Sequence, residues 1–141
     1  MTREEILEFF ARRDEAWQQH DAVALAAEHT EDGSVDSPFY GKVAGRRALL
    51  NVYSQWFLSF PDAEYSTERL LVDRNWAAQF IIMSGTQKGD FCGLAPTGRR
   101  FEMRCAFMFS FAGDKIAHEI RVYDFTRILV QLGVLTAKPA F

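Results

Sequence analysis

The apolar residues change period at Pro61, and that change limits the folds open to the chain. Before it, Ile6, Phe9, Phe10 and Trp17 fall on one helical stripe, with Arg12, Arg13, Asp14 and Glu15 largely opposite. Thr2 and Glu5 supply the Thr-x-x-Glu capping signature at the start of that helix. Asp21 caps a short second helix through Ala27, ended by Glu31-Asp32-Gly33-Ser34. A brief extended piece around Val35 and Asp36 follows, limited by Pro38. Gly45 opens a third helix that carries Leu49, Val52, Tyr53, Trp56 and Phe60 at helical spacing, and Pro61-Asp62 ends it.

After Pro61 the stretches Glu64 to Val72, Trp76 to Thr86, Arg100 to Phe111 and Lys115 to Asp124 read as strands. Turn chemistry separates them at Asp73-Arg74-Asn75 and Gly113-Asp114, and Gly89 to Gly98 is loop. Thr126 to Leu132 forms a last helical turn or two, stopped by Gly133. Helices followed by strands predict an α+β fold, with the helices on one face of a mainly antiparallel sheet. No repeat, linker or low-complexity stretch interrupts residues 1–141, so one domain is expected.

A two-residue turn at Gly113-Asp114 pairs Ala112 with Lys115. An unbroken ladder then sets Phe109 opposite His118, Phe107 opposite Ile120, Cys105 opposite Val122 and Met103 opposite Asp124. Opposed residues share a face. One predicted face is therefore apolar, with Met103, Cys105, Phe107, Phe109 and Phe111 beside Ile116, His118, Ile120 and Val122, and it belongs under the helices. Asp124 is the ionisable group at the end of that row, where desolvation tunes a carboxylate toward acid/base work. The other reading of Asp124 is a cap for the following turn. The second face carries Glu102, Arg104, Met108, Glu119, Arg121 and Tyr123, and is either solvated or, the favoured reading, a subunit interface through Arg104, Met108, Glu119, Arg121 and Tyr123.

Composition closes off several functions. Sixteen basic against 19 acidic residues leave no basic footprint for nucleic acid. No apolar run is long enough to span a membrane, and Met-Thr-Arg-Glu-Glu is not a signal peptide, so a cytoplasmic protein is expected. Cys92 and Cys105 lack redox or zinc spacing, and His20, His29 and His118 lack ligand spacing, so neither metal nor cofactor is expected. Phosphate-binding glycine loops and a serine elbow are also missing. The surplus is aromatic: 13 Phe, 4 Tyr and 3 Trp, more than a core of this size needs, so the rings line a cavity or an interface.

The run Asp124-Phe-Thr-Arg-Ile-Leu-Val-Gln-Leu-Gly133 resembles the ending of the SnoaL-like polyketide cyclases, within the nuclear-transport-factor-2-like superfamily. Gly45-Arg46, Trp56-Phe-Leu-Ser-Phe-Pro-Asp62, Gly85-Thr86, Gly93, Pro96-Thr97-Gly98-Arg99 and Lys115-Ile116 fall in that family's order. The resemblance implies a curved antiparallel sheet wrapped around three helices, a cone with an apolar pocket, and a homodimer formed through the outer sheet face. It also implies a cyclase or isomerase that needs no cofactor and acts on an enolisable, apolar, polyketide-like carbonyl compound. Asp124 matches the family's acid/base aspartate. Asp36 is a second acid/base candidate, at a position where isomerases of the superfamily place a proton-shuttling aspartate. Trp17, Tyr53, Trp56, Met103, Cys105, Phe107 and Val122 are the expected pocket lining. The alternatives are a non-catalytic binding or accessory protein of the same fold, and an epoxide hydrolase with an Asp-Arg-Asp cluster, for which Glu102, Arg104 and Asp124 are the nearest set.

Overall fold

The computed structural model describes residues 1–137, so residues 138–141 of the expected single domain lie outside it. Helix α1 (Arg3–Gln18) starts on the expected capping box, the Thr2 hydroxyl accepting from the Glu5 N–H while the Glu5 carboxylate accepts from the Thr2 N–H. Helix α2 (Ala22–Ala27) is capped by Asp21, and α3 (Arg46–Ser59) follows Gly45, whose φ of +93° favours glycine. Between α2 and α3 the brief extended piece is a full hairpin of β1 (His29–Ser37) and β2 (Gly41–Ala44). Strands β3 (Glu64–Asp73), β4 (Trp76–Thr86), β5 (Arg100–Ala112) and β6 (Lys115–Val122) follow, and α4 (Phe125–Gln131) closes the series.

The six strands form one curled, unclosed sheet in the order β2-β1-β6-β5-β4-β3. All neighbours are antiparallel except β1 and β6, which run parallel because β1 returns from the helices onto the far edge of the strand meander. The concave side holds the core: Phe109 of β5 meets Phe10 edge-on at 4.9 Å, and Phe111 meets Phe9 at 5.2 Å. Edge-to-face packing matches the positive edge of one ring to the negative face of the next. Among the described residues no helix is long and apolar enough to cross a membrane.

The β5–β6 ladder departs from the expected register. Ala112 pairs with Lys115 and Phe111 with Ile116, but Ser110 then pairs with His118, leaving Ala117 as an extra residue on β6. This is a β-bulge, and because side chains alternate with period two, one added residue turns every later side chain of β6 to the opposite face. Glu119 now pairs with Phe109 and Arg121 with Phe107, on the concave side. Ile120 and Val122 pair with Met108 and Ala106 on the convex side. The outer-face assignment of Glu119 and Arg121 is therefore corrected, and so is the inner-face assignment of His118, Ile120 and Val122.

Candidate functional site

The bulge sends two charged side chains of β6 into the cone, where they meet a charge from α1. Arg13 follows Phe9 by one turn and precedes Trp17 by another, so it sits on the buried stripe of α1 and not opposite it. Burying that guanidinium requires partners. Arg13 Nη1 donates to Glu28, and Nη2 donates to Glu119 Oε1 at 3.3 Å. Arg121 Nε donates to Glu119 Oε1 at 2.9 Å. Burial alone would push the Glu119 carboxyl up, but Arg121, Arg13 and His29 outweigh it and hold its pKa down to about 2.

Tyr53 of α3 ties the cluster together. Its hydroxyl oxygen accepts from Arg13 Nη2 at 3.1 Å and from Arg121 Nη2 at 3.0 Å. Those two donors fill its lone pairs, so its own proton goes to His29 Nε2, 3.1 Å away. That arrangement needs a neutral imidazole, and burial, with Arg13, Arg121 and Arg46 nearby, pushes the His29 pKa down to about 3 against the opposing pull of Glu119. With His29 neutral, Arg13 and Arg121 balance Glu28 and Glu119.

Above this cluster lies a narrow cavity that opens to solvent at its mouth. Trp17, Val52, Tyr53 and Trp56 from the helices, Met83, Met103 and Phe107 from the sheet, and Phe39 and Phe91 from the loops form its largely apolar wall. Ser37, Tyr40 and Tyr123 add hydroxyls, and Arg121 is the one charged lining residue among the described residues. The Arg121 guanidinium stacks over the Phe107 ring, 4.9 Å from its centroid, while Glu119 and Tyr53 take Nε and Nη2. Among the described residues Nη1 has no hydrogen-bond partner. Phe91 reaches the wall from the loop after β4. Buried Gln87 secures that loop by donating to the Leu94 and Ala95 carbonyls and accepting from the Thr97 N–H and hydroxyl.

The residues singled out in the sequence distribute unevenly. Trp17, Tyr53, Trp56, Met103 and Phe107 line the cavity. Cys105 is buried on the concave face opposite Ile81 but is not a lining residue. Val122 is 62% exposed on the convex face, turned there by the bulge. Asp36 is exposed on the convex side, beside Ile120. Asp124 is exposed and caps α4, its Oδ1 accepting from the Arg127 N–H. It lies in a surface groove with Glu102, Arg104 and Arg127 that shares Met103 with the cavity. Of the expected interface set, Arg104 and Met108 do face outward, whereas Glu119 is buried, Arg121 nearly so, and Tyr123 turns to the cavity. Arg104 pairs with Glu68 on the surface, so no Asp-Arg-Asp cluster of the epoxide-hydrolase kind forms from Glu102, Arg104 and Asp124 inside the cone. Among the described residues no group of three His, Cys, Asp or Glu is placed to hold a metal ion.

Three N-terminal helices held in a curled six-stranded sheet, with an aromatic cavity between them, define a cone of the nuclear-transport-factor-2-like class. A protein from Catenulispora acidiphila with a ketosteroid isomerase-like fold superposes with a TM-score of 0.76 at 17% identity, covering 96% of each chain. TsrD from Streptomyces laurentii superposes at 0.84 with 20% identity over 96% of this chain and 99% of its own. IdmH from Streptomyces antibioticus, a candidate polyketide cyclase, superposes at 0.74 with 24% identity over 90% of this chain and 97% of its own. No curated protein matches the chain by sequence. The family model for SnoaL-like polyketide cyclases matches residues 8–132, and the chain belongs to that family.

Proposed function

We propose that this protein is a cofactor-independent cyclase or isomerase that takes an enolisable, apolar, polyketide-like carbonyl compound into the cone. The observation that carries the reading is Arg121: the one charged group on a largely apolar wall among the described residues, oriented by Glu119 and Tyr53, with Nη1 free to donate. Enolisation moves charge onto a carbonyl oxygen, and a preorganised donor in a low-dielectric site stabilises that charge most in the transition state. In the proposed cycle a carboxylate takes a C–H proton and its electron pair moves onto the carbonyl. The enolate carbon then attacks a second carbonyl, and the resulting alkoxide takes the proton back. Asp124 is the proposed carboxylate, reaching a substrate that extends past Met103 into the adjoining groove. Asp36, on the convex side, has no part in this cycle.

Exchange of α-hydrogens for deuterium in 2-tetralone, followed by NMR in D2O, tests the first step. The protein is expected to speed exchange above the buffer rate, and Arg121→Met and Asp124→Asn to slow it. Exchange no faster than in buffer overturns the reading. A second reading, ligand capture without turnover, is favoured by one fact: among the described residues no carboxylate lines the cavity. It expects tight binding of the ketone with no exchange.

The convex face supports a homodimer. Trp76, Phe80, Met108, Ile120 and Val122 are exposed on adjacent strands there, an apolar surface larger than scattered side chains would give. In this proposal Ile120 and Val122 take the places in the interface that the sequence gives to Glu119 and Arg121, while Arg104 and Met108 keep theirs.

A further inference from the structure

Five buried side-chain nitrogen or oxygen atoms among the described residues have no hydrogen-bond partner: Arg13 Nε, Trp17 Nε1, His29 Nδ1, Tyr40 Oη and Trp56 Nε1. Three of them, the two indole nitrogens and the Tyr40 hydroxyl, belong to residues that line the cavity. A buried donor without an acceptor has lost its hydration and regained nothing, so native chains keep few of them, and those they keep need a reason. An indole N–H can only donate, so a second donor on a ligand cannot satisfy it. Arg121 Nη1 adds one more donor at the same wall. The charges behind that wall are balanced, Arg13 and Arg121 against Glu28 and Glu119, so no net charge waits for an anion.

We propose that Trp17, Trp56 and Tyr40 are specificity-determining hydrogen-bond donors that read acceptor oxygens on a planar, uncharged ketone. The indole nitrogens are closed to solvent in the free chain. An acceptor therefore reaches them as the ligand parts the surrounding rings, and recovers the interaction each donor lacks. A hydrocarbon of the same shape parts the same rings and recovers nothing, so the site discriminates by oxygen and not by outline. The proposal rests on the cavity being the ligand site, as the reading above has it, but not on turnover.

The test uses 9-fluorenone, fluorene and 9-fluorenone-2-carboxylate with the intact protein. In nitrogen-15 spectra the three tryptophans give three indole resonances, and the exposed Trp76 is identified by Trp76→Phe. Fluorenone is expected to move the Trp17 and Trp56 indole protons downfield and leave Trp76 in place. Fluorene is expected to bind without that shift. The preference for ketone over hydrocarbon, measured by calorimetry, should fall about three- to tenfold in Trp56→Phe and in Tyr40→Phe. Using the ratio cancels the packing that either substitution removes. The carboxylate should bind no tighter than the neutral ketone. Equal shifts with ketone and hydrocarbon, no binding of either, or tighter binding of the carboxylate overturns the proposal. Fluorenone binding with the expected shifts, but no α-hydrogen exchange in 2-tetralone above the buffer rate, leaves it standing and overturns only the catalytic reading.

Discussion

Arg121 donates through Nε to Glu119 Oε1 at 2.9 Å, two residues back along the same strand. Residues i and i+2 of a strand share a face, so the pair would form on whichever side β6 presented it. The bulge at Ala117 presents it inward, where Glu119 is 1% exposed and Arg13 approaches from the other side. A surface pair of this kind contributes little. Buried, it sets the direction of the guanidinium and leaves Nη1 on the cavity wall.

Glu119→Gln removes the anion that both guanidiniums share and leaves two buried cations against Glu28 alone. Breaking a buried ion cluster from one side is expected to destabilise the fold by about 3–5 kcal/mol, measured by urea unfolding. A loss below about 1 kcal/mol, the range of a surface pair, would contradict the buried cluster.

Acid should weaken the fold well above the usual carboxylate range. The His29 pKa lies near 3 in the folded chain against an ordinary 6.5. Between those values the unfolded chain binds a proton that the folded chain does not, so stability falls as pH drops from 6.5 toward 3. The limiting slope for one proton is about 1.4 kcal/mol per pH unit. Glu119, depressed to about 2, adds a further loss below its ordinary 4.5. Burial pushes the Asp14 and Glu28 carboxyls up, which acts in the opposite sense around and above their ordinary values. His29→Gln is therefore expected to flatten the pH dependence between 6.5 and 5, read from chemical denaturation at several pH values.

Asp124 joins a cap to a proposed proton acceptor, and two substitutions separate those roles. Asn caps a helix about as well as Asp, so Asp124→Asn should keep wild-type stability while deuterium exchange into 2-tetralone falls by roughly 10²–10⁴. Asp124→Ala should lose the exchange and about 0.5–2 kcal/mol of stability as well. Unchanged exchange in Asp124→Asn would remove this residue from the cycle.

Gly89 brings the loop after β4 against the end of α3, where an added Cβ would lie 2.5 Å from the Leu58 carbonyl oxygen. Backbone on both sides cannot yield cheaply, so Gly89→Ala is expected to cost about 1–3 kcal/mol, as overpacking does. The displaced loop carries Phe91 out of the cavity wall, so ketone affinity should fall with stability. Wild-type melting and affinity in this variant would show that the contact is not needed.

Much of the fold was legible in the chain. The stripe of Ile6, Phe9, Phe10 and Trp17, the Thr2–Glu5 capping box and the turn at Gly113-Asp114 are local patterns that neighbouring residues enforce, and each stands in the structure. The family resemblance along the chain agrees with the match over residues 8–132. The parallel pairing of β1 with β6 was not legible, because residues far apart in the chain decide it. Arg13 could have been found: it lies four residues after Phe9 and four before Trp17, on the buried stripe, and its charge argued against the position that its spacing indicated.

The sequence by itself determined the order of the helices and of β3 to β6, the aromatic content of the core and the inward face of β5, because those follow from periodicity and composition, whereas the β1–β2 hairpin went unread. Only the tertiary structure decided which face of β6 turns inward. Glu119-Ile120-Arg121-Val122 alternates charged and apolar side chains, and read alone it buries Ile120 and Val122. One extra residue at Ala117 reverses that choice. The reversal is stable because Arg13, Glu28, Tyr53 and His29, from elements distant in the chain, supply the partners that two buried charges require.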